Sequence, residues 1–197
     1  VFGEELLQPV RQDRHALPET ASPSSTESSE DDATVADTGT DDEADTGGND
    51  AAAGQAAQVE DMLDRSHSSR SNLSSAIDDA VRCEANGVET IEEITRSRKS
   101  QLAAAEALDT GALPSGEEVK ESLVEALDAS YRADAAFLSW ARRYQDRGCT
   151  GAVARDRDYR RGLAHSKSAQ AAKARFAELW RPIAETYSLT AWTADDI

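Results

Sequence analysis

The sequence is poor in the residues that most often carry chemistry. Its 197 residues include three histidines, two cysteines and one methionine, and aromatics make up 5%. His15, His67 and His165 are far apart and no Glu-x-x-His pattern occurs, so the ligand set of a di-iron helical bundle cannot be built. Asp64 and His67 stand at i, i+3 and read as a solvated helix face, because two ligands do not close a metal site. No Gly-x-Ser-x-Gly elbow, Walker A loop or dinucleotide fingerprint is present. His165 and Ser166 are adjacent, and adjacent helical residues diverge by about 100° around the axis. The acid pairs Asp78-Asp79 and Glu92-Glu93 are neighbours that do not face each other on a helix. These absences predict a chain with no catalytic residue, metal or cofactor.

Long apolar runs are missing too. No stretch of about 18 apolar residues occurs, so no segment here is expected to span a membrane as a helix, and no signal-peptide h-region is present. Basic residues are absent from one region altogether. From Pro18 to Asp50 there are eleven Asp or Glu, no Lys or Arg, and one aliphatic residue larger than Ala, Val35. Such a segment buries too little apolar surface to offset the entropy of ordering, and its self-repulsion extends it. Residues 18–50 therefore read as a disordered acidic linker. Residues 1–17, with Val1, Phe2, Leu6, Leu7 and Val10 and with Pro9 and Pro18 limiting any helix to a few turns, read as a short juxtamembrane segment or a linker. The formal charge is −17 overall but only about −5 over residues 51–197, where 24 acids meet 19 bases. An acidic balance of this kind does not suit nucleic acid.

What remains, residues 51–197, has the apolar period of helices. Val59, Met62, Leu63, Leu73, Ile77 and Val81 mark a first helix from about Ala51–Gln58 to Cys83, with a possible break in the polar stretch Ser66–Ser71 and a stop at Asn86-Gly87. Val88, Ile91, Ile94, Leu102, Ala105 and Leu108 mark a second helix. Ser115 and Glu118 have capping-box spacing and open a third, which runs to about Arg147, with Gly148 as its stop. A fourth starts between Val153 and Tyr159 and reaches about Tyr187, and Pro182 should kink or interrupt it. The fold class is all-α. Short connections imply an antiparallel four-helix bundle, expected to be a monomer.

Topology constrains the two cysteines. In an up-down-up-down bundle the ends of helices one and three lie at the same end, which brings Cys83 near Cys149 and predicts a disulfide between them. Two unrelated buried thiols are the alternative. A diagonal arrangement of those helices would hold the cysteines apart unless Gly148 and Gly151 let Cys149 fold inward. A disulfide implies an oxidising compartment.

Two surfaces are candidates for binding. Most of the aromatics fall in helices three and four, so Tyr131, Trp140, Phe176 and Trp180 either fill the core or line a small-molecule pocket. Arg142–Arg181 holds eleven Arg or Lys against four acids. Its Arg155, Arg157, Arg160 and Arg161 either complement the acidic helices or form a basic docking surface.

Several segments together resemble a known group. Leu108-Asp109, Ala112-Leu113-Pro114, Ala133-Asp134-Ala135-Ala136-Phe137, Trp140-Ala141, Gly148-Cys149, Lys173 to Phe176 and Trp180-Arg181-Pro182 occur in this order. They resemble the C-terminal extracytoplasmic helical domain of uncharacterised actinobacterial membrane-anchored proteins, over roughly Val88 to Ile197. Arg181 stands where that pattern often has Asn. The resemblance implies export and a membrane tether upstream of Val1, and it implies no activity. The resulting expectation is a non-catalytic interaction or sensing module outside the cell membrane, whose partner is an envelope protein or polymer. The alternative is a small-molecule binder or enzyme that uses the aromatic pocket.

Overall fold

A computed structural model describes residues 46–197, with side chains from Gly48 onward. The expected juxtamembrane segment and nearly all of the acidic linker lie outside the described residues. The chain forms α1 (Thr46–Val81), α2 (Ala85–Glu106), α3 (Gly116–Asp146) and α4 (Arg157–Tyr187), with a short 3-10 turn at Val153–Arg155. The fold is all-α, and there is no strand among the described residues. Helix α1 begins earlier than its periodicity suggests, inside the last residues assigned to the linker. Its first seam residues, Ala52 and Ala56, are small but fully packed. Nor does the Ser-rich stretch break it. Ser68, Ser69 and Ser71 return their hydroxyls to the carbonyls of Asp64, Arg65 and His67, which lets a serine run stay helical.

The stop between α1 and α2 does not fall at the Asn-Gly pair. Cys83 sits at φ 65°; its N–H donates to Ala80 O at 3.1 Å and Glu84 N–H donates to Asp79 O at 2.9 Å. This is a Schellman cap with a cysteine at the left-handed position. Asn86 and Gly87 already belong to α2. Gly87 is there for packing, since a Cβ on it would lie 2.4 Å from Ala80 N and 2.9 Å from Ala76 O. Both are backbone atoms, which cannot rotate away. Gly87→Ala is therefore expected to force α1 and α2 apart and to destabilise the protein by about 1–3 kcal/mol, read from the urea midpoint. An unchanged midpoint would show that the helix ends are loosely packed.

The other helix ends differ in how they are capped. Ser115 is the N-cap of α3, but it is left-handed at φ 52° and makes no side-chain capping bond, so the predicted capping box with Glu118 does not form. The entry is fixed by Gly116, where a Cβ would overlap the carbonyl of Thr110. Helix α4 has a true side-chain cap: Asp156 accepts from the N–H groups of Asp158 at 2.8 Å and Tyr159 at 3.2 Å. It continues through Pro182 without interruption. Pro182 and Glu178, whose carbonyl loses its helical donor, are both exposed, so water can replace the missing bond.

Helix α3 packs most extensively on α4, α1 on α2, and α2 on α3, while α1 and α4 approach each other little. The short segment after α4 fills that gap. Ile197 is fully buried, Trp192 Nε1 donates to Glu60 at 2.9 Å, and the Trp192 ring lies 5.3 Å from that of His67. Helices α1 and α3 share few contacts, the diagonal relation that works against the disulfide. It forms nevertheless: Cys83 and Cys149 are bridged, with Cα atoms 5.8 Å apart. Both residues lie past their helix ends at positive φ, and Gly148 and Gly151 are also at positive φ, so the loops and not the helices meet.

The interior holds two apolar clusters. One gathers Val59, Leu63, Leu123, Leu127, Phe176, Trp180 and Ile197. The other, toward the disulfide, gathers Ala76, Ile91, Ala133, Phe137, Trp140 and Ala141. Between them each helix places polar residues inward: Ser66 and Arg70 on α1, Thr95, Arg98 and Gln101 on α2, Ser130 and Asp134 on α3, and Lys173 on α4.

Candidate functional site

Each helix contributes to this polar layer from its inward face. The buried positions of α2 are Gly87, Ile91, Ile94, Thr95, Arg98, Gln101 and Ala105. Along α3, Leu123, Leu127, Ser130, Asp134, Phe137 and Ala141 alternate steps of three and four, as does Ala169, Lys173, Phe176, Trp180 and Ile183 along α4. Ser66 and Arg70 hold the matching place on α1. Three and four is the step of an inward seam, so these polar residues occupy seats that would otherwise hold leucine.

The layer centres on Arg98 and Asp134, each 2% exposed. Arg98 Nε stands 3.6 Å from Asp134 Oδ2, an ion pair too long for a hydrogen bond. Neither atom has a hydrogen-bond partner among the described residues. Arg98 also donates to Ser66 Oγ and, at 3.3 Å, to Gln101 Oε1. Lys173 is 6% exposed, and its Nζ donates to the backbone oxygen of Ile197. Arg70 donates to the backbone oxygens of Ala194 at 2.8 Å and Ile197 at 3.3 Å, and it reaches Asp195 at 3.8 Å. Asp195 is 84% exposed and screens the interior little.

Burial sets the protonation of this layer. It pushes the Asp134 carboxyl up to about 6, although Arg98 and Lys173 favour its charged form. It pushes the Lys173 ammonium down to about 7, with Arg98 and Arg70 adding repulsion and Asp134 and Asp195 opposing it. Burial likewise lowers Arg98, which stays charged because guanidinium does not give up its proton in proteins.

A cleft of about 280 Å³ opens beside the layer, with walls from all four helices. Its charged walls are Arg70, Arg98, Lys173 and Asp134; its apolar walls include Leu73, Ile77, Ala133, Phe137 and Ala169; Ser74, Ser130, Ser166 and Gln170 also line it. The hydroxyls of Ser130 and Ser166 donate to the carbonyls of Ala126 at 2.8 Å and Gly162 at 3.0 Å. Their protons are committed to backbone, which leaves neither set up as a nucleophile.

The candidate aromatic pocket is not assembled as one site. Phe176 and Trp180 are fully buried in one cluster and stack 6.2 Å apart. Trp140 belongs to the other, with Tyr144 at 5.7 Å and Tyr159 at 4.9 Å. Tyr131 is half-buried elsewhere on α3. The physical reason is shape: an aromatic side chain fills a helix–helix interface more fully than it can border a void. Trp140 does border a second depression of about 300 Å³, with Tyr144, Arg147, Arg155 and Arg157.

Arg155, Arg157, Arg160 and Arg161 are all exposed. Arg161 and Arg157 lie 3.3 and 3.8 Å from Asp158, while Arg143 holds Asp156 at 3.1 Å and Asp158 at 2.5 Å. Helix-to-helix charge pairing is carried by Arg142–Glu92 at 2.6 Å and Arg175–Glu125 at 2.5 Å. These exposed pairs stabilise by at most about 1 kcal/mol each. His67 meets the backbone oxygen of Asp196 at 2.5 Å through Nδ1, and no group of three or more possible metal ligands occurs among the described residues.

Sequence patterns alone do not single out Arg98, Asp134 and Lys173 as a site, and Arg98 reads there as surface charge. The available signal is their register in the three-and-four pattern. No family profile, curated protein or solved structure matches the chain.

Proposed function

We propose that the bundle is a non-catalytic sensing module displayed outside a cell membrane, as the helical domain of a membrane-anchored protein. The acidic segment before α1 is then the spacer between the domain and a tether preceding Val1. The observation that carries the location is the Cys83–Cys149 bridge, with Cα atoms 5.8 Å apart. Mesophilic cytosolic proteins rarely keep a structural disulfide. The acidic spacer supports the tether, because self-repelling chains extend and hold a domain off a surface.

Sensing is favoured over catalysis by the chemistry of the central cleft. Asp134 faces Arg98, which cannot take part in proton exchange, and the two cleft serines with buried partners donate to backbone. A buried charged layer open to a cleft is a natural place for a ligand to change helix packing, because interfaces of this kind have discrete arrangements. The small-molecule reading built on Trp140 and Trp180 has less support, since both rings are packed into the core.

The location is tested by expressing the full-length gene and treating intact cells with a membrane-impermeant thiol reagent after mild reduction. Labelling of Cys83 and Cys149 in intact cells is expected, together with an apolar segment encoded before Val1. Free thiols in protein isolated without reductant, and no such segment, would overturn the proposal.

A further inference from the structure

We propose that the central cleft binds a small organic monocarboxylate, with its carboxylate among Arg70, Arg98 and Lys173 and its apolar body along Leu73, Ile77 and Phe137. This deepens the sensing reading by naming what the module takes, and so rests on it.

Charge excludes most alternatives. Three cationic side chains and the Asp134 carboxylate line the cleft, and the terminal oxygen of Ile197, a carboxylate in the 197-residue chain, lies against Lys173 and Arg70, which leaves one excess positive charge in a poorly solvated interior. Asp195 lies outside it and exposed. A metal cation or an amine ligand would add repulsion. An anion relieves it, and charge-assisted bonds from Arg and Lys to carboxylate are among the strongest available to a side chain.

The donors are also in place. Lys173 Nζ has three N–H bonds to give and Arg70 has five. Their protein acceptors are the backbone oxygen of Ala194, the terminal oxygen of Ile197 and the distant Asp195 carboxylate, which leaves N–H bonds of both side chains to give. Arg98 Nε is buried and faces Asp134 at 3.6 Å, so Arg98 adds positive charge to the site more than a hydrogen bond. An incoming carboxylate offers about four lone-pair sites to these donors.

Shape decides between a bare anion and an organic one. From the charged layer the cleft runs toward the disulfide end: Arg70 is followed by Leu73 and Ile77 on α1, Asp134 by Phe137 on α3, and on antiparallel α4 Lys173 is preceded by Ala169. Phosphate or sulfate would leave that apolar length unfilled. The volume of about 280 Å³ equals about nine waters, at the small end of ligand pockets. A single short aliphatic or aromatic body suits it, and a second charged end would be stranded against Phe137.

Binding should also take up a proton. Lys173 loses half its charge near pH 7, where it faces Arg70 on α1, Arg98 on α2, Asp134 on α3 and Asp195 after α4. A carboxylate beside it favours the ammonium form.

The test uses the full 197-residue chain, labelled with nitrogen-15, and titrates it with phenylacetate, hexanoate and the neutral phenylacetamide. Saturable millimolar shifts are expected for at least one acid, centred on Arg70–Ile77, Arg98–Gln101, Ser130–Phe137 and Ser166–Lys173. Phenylacetamide should bind at least about tenfold more weakly, and Arg70→Gln should weaken the acid by about tenfold, the loss of one charge-assisted contact. Arg70 is partly exposed, so that variant keeps the fold. Calorimetry near pH 7.5 in two buffers of different ionisation heat should show net proton uptake. No saturable shift with either acid, equal affinity for the amide, or shifts confined to the Arg155–Arg161 surface would each overturn the proposal. None of those results bears on the disulfide or on thiol labelling in cells, so the location stands or falls separately.

Discussion

Replacing Asp134 by Ala is expected to destabilise the protein by about 3–5 kcal/mol at neutral pH. Among the described residues, Asp134 is the only carboxylate lining a cleft that also presents Arg98, Lys173 and Arg70. Its removal leaves Arg98, 2% exposed, as a buried charge facing two other cations. A loss of that size would lower the melting temperature by about 6–20 °C for a domain of this length. The control separates charge from volume. Adding Arg98→Met to the Asp134→Ala background should restore much of the loss, because an apolar pair can replace a buried ion pair at little cost. If the single and double variants unfold at the same urea concentration, the deficit is a cavity and not an orphaned charge.

The same layer sets a pH dependence whose sign follows from the two displaced groups. Lys173 is lowered from 10.5 to about 7 in the fold. Between those values the unfolded chain binds more protons than the native one, so stability rises with pH. Asp134 is raised from 3.8 to about 6. Across that lower window the native state binds more protons, so its contribution falls as pH rises. The layer is therefore least stabilising near pH 6–7, where both groups are charged. Comparing wild type with Lys173→Met isolates the upper limb. The difference in unfolding free energy should move in favour of wild type by on the order of 2 kcal/mol from pH 7 to pH 9. A difference that stays flat across that range would mean that Lys173 keeps an ordinary ammonium.

Reducing the Cys83–Cys149 bridge is expected to cost about 4 kcal/mol, the chain-entropy value for closing a loop of 66 residues. It ties the loop after α1 to the loop after α3, two helices that share few contacts, so little else holds that corner. Urea unfolding with and without reductant measures the effect. A midpoint unmoved by reductant, with the thiols verified as free, would mean that the loops are held by packing alone. A second comparison uses the backbone. Cys83 sits at φ 65°, where a side chain costs about 1–2 kcal/mol relative to glycine. Cys83→Gly should therefore be the milder loss and Cys83→Ala the larger, although both break the bridge.

Much of the fold is legible in the order of residues alone. The all-α class follows from apolar spacing, because Val59, Leu63, Ile91, Leu123, Leu127 and Ile183 recur at helical steps and are buried in the helices they mark. Chain order and short connections also suffice to bring the two cysteines to one end. These properties are local or topological, and a one-dimensional pattern contains them. Local signals fail where a distant atom decides. Asn86-Gly87 has turn chemistry, but Gly87 lies inside α2, where its missing Cβ lets the backbone of Ala76 and Ala80 approach. Ser115 and Glu118 have capping spacing, but the left-handed backbone at Ser115 turns the cap off.

The central cleft belongs wholly to the tertiary structure. Arg98, Asp134 and Lys173 are each ordinary helix residues in sequence, separated by tens of residues, and charge by itself predicts a solvated face. Their positions on the three-and-four seam are readable, but their common depth is not. That depth depends on how far each helix slides along its neighbours, which close contacts such as Gly87 on Ala80 and Gly162 on Phe137 help to set. The sequence by itself determined that four amphipathic helices would pack and that a disulfide could join two of their ends, since apolar periodicity and chain connectivity are properties of one dimension. Only the tertiary structure decided that three cations and one carboxylate would meet beside a cleft, because burial, and the shift in proton affinity it causes, arises from what surrounds a side chain in three dimensions.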